Sequence, residues 1–184
     1  ITGLRMHVLA DIGAYPIFTF IPDLTLMMGV GVYGVKDVDL RNTCVFTNTT
    51  SIAAYRGAGR PEAAYYLERL VDVIAAELGR PPEEIRRKNF IPPASFPYQA
   101  PTGQHYDSGE YDRALTRALE VSHYAQLRAE QRRRIEAKDR RLLGIGEKRV
   151  HLTPPERPGP VLSAGATLPA REPMDVLDAV VELD

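Results

Sequence analysis

Cysteine is almost absent: Cys44 is the one thiol in 184 residues. A lone cysteine forms no internal disulfide and builds no multi-cysteine metal site, which points to a reducing, cytoplasmic setting. Charge of one sign is missing too. With 23 basic and 24 acidic residues the formal net charge is −1, which excludes a strongly basic nucleic-acid binder as the first reading. No apolar run is long enough to span a bilayer, because the longest such region, 17–35, is broken by Pro22, Asp23, Gly29, Gly31 and Gly34. Signal peptide and initiator methionine are both lacking, and the chain opens at Ile1 inside a strand pattern, so it reads as a piece of something longer. His7, His105, His123 and His151 are scattered with no helix-spaced pair, and no protein-ligated metal is expected. Ser51 has no histidine–aspartate pattern near it to make it a nucleophile. No internal repeat is evident.

What remains is an ordinary globular composition, 44% hydrophobic and 26% charged, with length for one domain, or one domain and a tail. Leu4, Met6, Val8, Ala10 and Ile12 share a face under period two, which predicts a strand from Ile1 that ends near Gly13. A short helix is expected over Asp23–Met28, and Val38–Thr47 reads as a second strand. Asn48–Arg60 is polar and glycine-bearing, hence a loop. The clearest element is a helix from Pro61 to Leu78, with Leu67, Leu70, Val71, Ile74 and Leu78 at helical spacing.

A shorter helix follows over Pro82–Lys88, its Glu83 and Glu84 placed favourably for the dipole. Four prolines lie in Phe90–Gly109, an excursion between helices. Two more helices are predicted, Glu110–Glu120 and Ser122–Lys138, the second with Arg128, Arg132, Arg133, Arg134 and Lys138 on a solvated face. From 148 to 184 the chain is a proline-rich, poorly integrated tail, in which only Val176–Leu183 has helical spacing. The fold expected is α+β: a small mixed sheet packed by several helices over 1–147, followed by this irregular tail.

Chemistry concentrates in Ala54-Tyr55-Arg56-Gly57-Ala58-Gly59-Arg60-Pro61-Glu62-Ala63. Two glycines one residue apart permit positive φ and close approach of a ligand to the main chain. The loop runs into a helix N-terminus, where unpaired amides and the dipole favour an anion, and Arg56 and Arg60 add two cations. Such a turn suits an oxyanion or the oxo groups of a cofactor. The plainer reading is a glycine turn ahead of a core helix with both arginines solvated, and the pattern alone does not separate the two. Tyr65 and Tyr66, which follow at helical spacing, read as packing residues.

That stretch, with Glu83-Glu84-Ile85-Arg86-Arg87-Lys88-Asn89-Phe90, the opening Ile1-Thr2-Gly3-Leu4-Arg5 and the turn Tyr106-Asp107-Ser108-Gly109, resembles the large subunit of the molybdenum hydroxylases, the xanthine dehydrogenase, aldehyde oxidase and carbon monoxide dehydrogenase relatives. The similarity covers about residues 1–146. It implies part of a larger molybdopterin-binding domain and a molybdenum–molybdopterin cofactor, in some relatives a cytosine dinucleotide. Iron–sulfur clusters and FAD are implied on partner subunits or domains. The reaction implied is hydroxylation of a small-molecule substrate with water as the oxygen source.

Residue by residue, the resemblance puts the cofactor-binding positions at Arg56, Gly57, Ala58 and Gly59, the amide of Arg56 approaching an oxygen ligand of molybdenum. Gly57 stands where the copper-containing carbon monoxide dehydrogenases have a copper-holding cysteine, and glycine offers no thiolate. Cys44 lies outside the motif and is expected as a small buried strand residue. Ala58 stands where xanthine-type enzymes stack a phenylalanine on a heterocycle, and near Leu24 their substrate-binding arginine is missing. An aldehyde or similar small carbon centre is therefore expected over a purine.

The family's catalytic glutamate follows a Gly-x-Gly several hundred residues downstream. Gly144-Ile145-Gly146-Glu147 matches the letters only 91 positions after Arg56. Its left context resembles the start of a different domain, so no catalytic base is expected in this segment, Glu147 included. The other reading of the chain is a truncated or frame-altered remnant without activity, acting at most as an interaction piece.

Overall fold

The computed structural model describes residues 1–146, so Glu147, His151 and the tail with its Val176–Leu183 pattern lie outside the described residues. Strand β1 (Gly3–Asp11) alternates as the period predicts, with Leu4 and Met6 buried and Arg5, His7 and Leu9 facing out. It pairs in parallel with β2 (Asp37–Val45), from Gly3 opposite Asp37 to Asp11 opposite Val45. A parallel pair needs a crossover rather than a hairpin. Here the connection carries α1 (Ile21–Met27) and a tightly buried stretch containing Val30, Val32, Tyr33 and Val35.

Helix α2 (Arg60–Glu77) packs against α1 and α3 (Pro82–Asn89). Its Leu67, Val71, Ile74 and Ala75 share one core with Leu4, Met6, the Val30–Val35 stretch, and Ile85 from α3. The 90–109 excursion is ordered. It holds one 3-10 turn (Pro93–Ser95) and an antiparallel ribbon of β3 (Tyr98–Gln99) and β4 (His105–Tyr106). Tyr106 anchors it, stacking on Tyr98 and donating its hydroxyl to the Gly31 carbonyl at 2.9 Å. Burial pushes the Tyr106 pKa up to about 12, with smaller contributions from Tyr111 and Tyr98.

Helices α4 (Tyr111–Val121) and α5 (Tyr124–Glu136) complete the described chain. Helix α4 keeps the expected length, shifted by one residue, whereas α5 is shorter than the periodicity suggests: His123 and Lys138 have φ of +52° and +51°, left-handed conformations that stop a helix. The α+β architecture is thus present, its strands divided between a parallel pair and a separate antiparallel ribbon. Cys44 corrects an expectation. It lies on β2 but is exposed, because the strand rises out of the core beyond Leu40.

Candidate functional site

Three consecutive residues of the Arg56–Gly59 turn have positive φ: Gly57 at +95°, Ala58 at +27° and Gly59 at +83°. Glycine takes such angles freely, whereas alanine does so under strain, of the kind that surrounding structure must impose. What imposes it is close packing on both sides. A Cβ on Gly57 would meet the Pro61 ring at 2.8 Å, and one on Gly59 would meet the Ile21 carbonyl and Thr25 amide of α1 at 2.7 Å. The protein itself thus needs both glycines small at this turn.

The helix N-terminus contributes fewer free donors than its sequence suggests. The Arg60 amide bonds back to the Gly57 carbonyl at 3.1 Å, Ala63 bonds to Gly59 at 3.0 Å, and Pro61 has no N–H. Inside the turn, Ala58 N–H donates to the Tyr55 carbonyl at 3.0 Å. Among the described residues, the adjacent amides of Arg56 and Gly57 donate to no acceptor. They sit at the surface: Tyr55 is 89% exposed and Arg56 is exposed, while Gly57 is half-buried. The Arg60 guanidinium leans back to the Gly57 carbonyl at 3.4 Å.

The open donors of the turn are thus the adjacent main-chain amides of Arg56 and Gly57, with Ala58 and Gly59 between them and the helix start at Arg60. The structure also brings Leu24 to it, since the Leu24 Cβ lies 2.8 Å from where a Gly59 Cβ would stand. Sequence spacing gives no hint of that contact, across 35 positions.

Other candidates resolve as structural. Ser51 Oγ accepts the Tyr15 amide at 3.3 Å. His7 Nε2 lies 2.8 Å from Thr43 Oγ1 across the ladder. Tyr66 packs against the core as expected, but Tyr65 is 61% exposed and does not. No group of three or more His, Cys, Asp or Glu residues among those described could hold a metal ion. No helix among them is long and apolar enough to cross a membrane.

Arg86, one of the charged residues of the 83–90 motif, has a role that its charge hides in the sequence. It is 1% exposed and forms ion pairs with Glu68 at 2.8 Å and Asp72 at 2.9 Å, both on α2. Tyr33 donates its hydroxyl to the other Glu68 oxygen at 2.9 Å. Burial alone would lower the guanidinium pKa, but Glu68, Tyr33 and Asp72 outweigh it and hold it above the ordinary arginine value. The motif therefore clamps α3 to α2, behind the turn rather than in it.

By fold and site, this is an α+β segment with a strained glycine turn, two of its amides unclaimed, leading into its central helix. Residues 1–90 match the molybdopterin cofactor-binding domain. The carbon monoxide dehydrogenase large chain of Afipia carboxidovorans is 39% identical over 155 residues, 79% of this chain and 19% of that one. Among solved structures, a Cu,Mo-CO dehydrogenase superposes with a TM-score of 0.66 at 38% identity, over 76% of this chain and 18% of that one. Quinoline 2-oxidoreductase from Pseudomonas putida 86 superposes at 0.68 with 31% identity, over the same shares. The chain belongs to the family of molybdenum hydroxylase large subunits, and carries part of their molybdopterin-binding region. It spans about a fifth of the length of the curated relatives it matches.

Proposed function

We propose that this chain supplies one wall of the molybdenum–molybdopterin site in a hydroxylase that oxidises an aldehyde or a similar small carbon centre. The observation that carries the reading is the pair of unclaimed amides at Arg56 and Gly57, held in a strained turn between two cations. Two adjacent, unclaimed N–H donors suit an oxo-bearing group, and their donor strength is greatest where water is excluded. Arg56, Gly57, Ala58 and Gly59 would then face the cofactor. When bound, that group supplies the two-electron oxidation that places a water-derived oxygen on carbon. The chain's own part is to orient it by main-chain hydrogen bonds, while Arg56 and Arg60 offset its negative charge.

Gly57 carries no thiolate, so a copper partner has no soft ligand at this turn. With Ala58 beside it there is no aromatic face to stack on a purine. Both features favour a compact, non-aromatic substrate. Iron–sulfur and flavin subunits in a reducing cytoplasm would carry the electrons away, and a cytosine dinucleotide is one form the pterin could take. No catalytic base is assigned in this segment.

A chimera tests the reading: residues 1–146 replace the matching stretch of a carbon monoxide dehydrogenase large chain, co-expressed with its partner subunits. The expected product holds molybdenum and pterin but no copper, reduces a dye with aldehydes and not with carbon monoxide. A well-folded, assembled chimera that lacks molybdenum would overturn the proposal.

A second reading, an inactive remnant acting at most as an interaction piece, is favoured by the parallel ladder. Its outer face, with Leu9 69% exposed, is uncovered among the described residues, whereas parallel sheets are ordinarily covered on both faces. The two readings are compatible: the wall is competent only when the remaining walls are supplied.

A further inference from the structure

The Arg56–Gly59 turn depends on its two ends, because the chain that enters it is otherwise unheld. Among the described residues, Ile52, Ala53 and Ala54 take part in no main-chain hydrogen bond. Where Arg56 and Gly57 lie is therefore set by the anchored residues on either side, Ser51 before the turn and Gly59 after it.

Both anchors lead back to one residue. The parallel ladder ends at Asp11 on β1 and Val45 on β2, so the loops that leave the two strands start side by side. In open parallel sheets this carboxyl end is where ligands bind. Asp11 Oδ1 accepts the Gly13 amide at 2.9 Å and the Thr47 hydroxyl at 2.7 Å, and Oδ2 accepts the Thr49 hydroxyl at 3.3 Å. One carboxylate thus joins both loops at their roots.

Beyond it the loops are zipped together. The Thr47 amide donates to the Gly13 carbonyl at 3.2 Å, the Ala14 amide to the Thr49 carbonyl at 3.1 Å, and the Tyr15 amide to Ser51 Oγ at 3.3 Å. Gly13 lies so close to the other loop that a Cβ there would meet the Thr50 carbonyl at 2.5 Å. The first loop then runs into α1, whose Ile21 carbonyl and Thr25 amide press on Gly59. The second runs through Ser51 into the turn itself.

We propose that Asp11 is a positioning residue for the cofactor turn: it latches the loops that fix where the Arg56 and Gly57 amides point. The inference rests on the cofactor reading of those amides. Such a latch needs acceptors rather than charge. In Asp11→Asn the side-chain oxygen still accepts from Gly13 and Thr47, and the nitrogen donates to Thr49 Oγ1, whereas Asp11→Ala removes all three bonds.

Amide NMR of the full chain, together with the molybdenum content of the chimera carrying residues 1–146, tests the proposal. In D11A the Arg56 and Gly57 resonances should move, while those of the core residues Val71 and Ile74 stay in place. T47V/T49V, which removes the hydroxyl arms and leaves the carboxylate, should act likewise, and D11N should leave Arg56 and Gly57 unmoved. In the assembled chimera, D11A should hold at least about fivefold less molybdenum than the unsubstituted form, and D11N should stay within about twofold of it. A merely local tie would shift the resonances of 12–15 and 46–51 alone. That result overturns the proposal, as does a D11N chain disturbed as much as D11A, or full molybdenum in the D11A chimera. An unsubstituted chimera without molybdenum overturns instead the cofactor reading, and with it the purpose assigned to the latch.

Discussion

At the scale of single residues, the glycines of the turn separate backbone freedom from packing. Gly59 needs both, since its φ is +83° and α1 backbone lies 2.7 Å from a would-be Cβ. Gly59→Ala should cost about 3 kcal/mol in urea unfolding. Gly79 also has positive φ, at +60°, but nothing lies within 4 Å, so Gly79→Ala should cost only about 1 kcal/mol. Equal losses would mean that α1 does not press on the turn.

Tyr106 gives a pH signature. Its folded pKa of about 12 stands above the ordinary value of 10, so the folded state keeps its proton where the unfolded chain has released it. Stability from this group is complete below pH 10 and is lost as pH climbs from 10 towards 12. Tyr106→Phe should lower stability at pH 7 by about 1 kcal/mol through the lost bond to Gly31. It should also flatten the decline between pH 10 and 12, measured by urea midpoints across that range.

Between elements, the important contact is electrostatic rather than apolar. Arg86 on α3 joins Glu68 and Asp72 on α2, and Glu68 in turn holds the Tyr33 hydroxyl of the crossover. Taking away one partner of a buried pair strands the other charge, which is worse than never having placed it there. Arg86→Met should therefore destabilise by about 3 kcal/mol or more. Glu130→Gln, which breaks pairs on the exposed face of α5, should leave the urea midpoint unmoved. Helix boundaries belong to this scale too. Sequence periodicity runs α5 from Ser122 to Lys138, but left-handed His123 and Lys138 trim it to Tyr124–Glu136.

For the molecule as a whole, the face of the β1–β2 ladder left uncovered among the described residues and the exposed turn have one consequence. A site open to water gives its hydrogen bonds to solvent, and two amides with two arginines are too few to retain a large anionic cofactor against bulk competition. The chain expressed alone should hold molybdenum far below one ion per chain by elemental analysis and show no aldehyde-dependent dye reduction. Stoichiometric metal in the lone chain would show that the wall described here is a complete site.

Sequence alone determined what is local. The period-two face of β1, the apolar stripe of α2 and the Gly-x-Gly turn are written in neighbouring residues, because backbone sterics and burial of one face act over a few positions. The long motifs likewise carried the family resemblance. Tertiary structure decided everything that joins distant positions. The parallel sense of the ladder, the pressure of α1 on Gly59, the exposure of Cys44 and the burial of Arg86 all depend on which surfaces meet. An arginine reads as solvent-facing in any window of sequence, and only the arrival of Glu68 and Asp72 from another helix makes its burial tolerable.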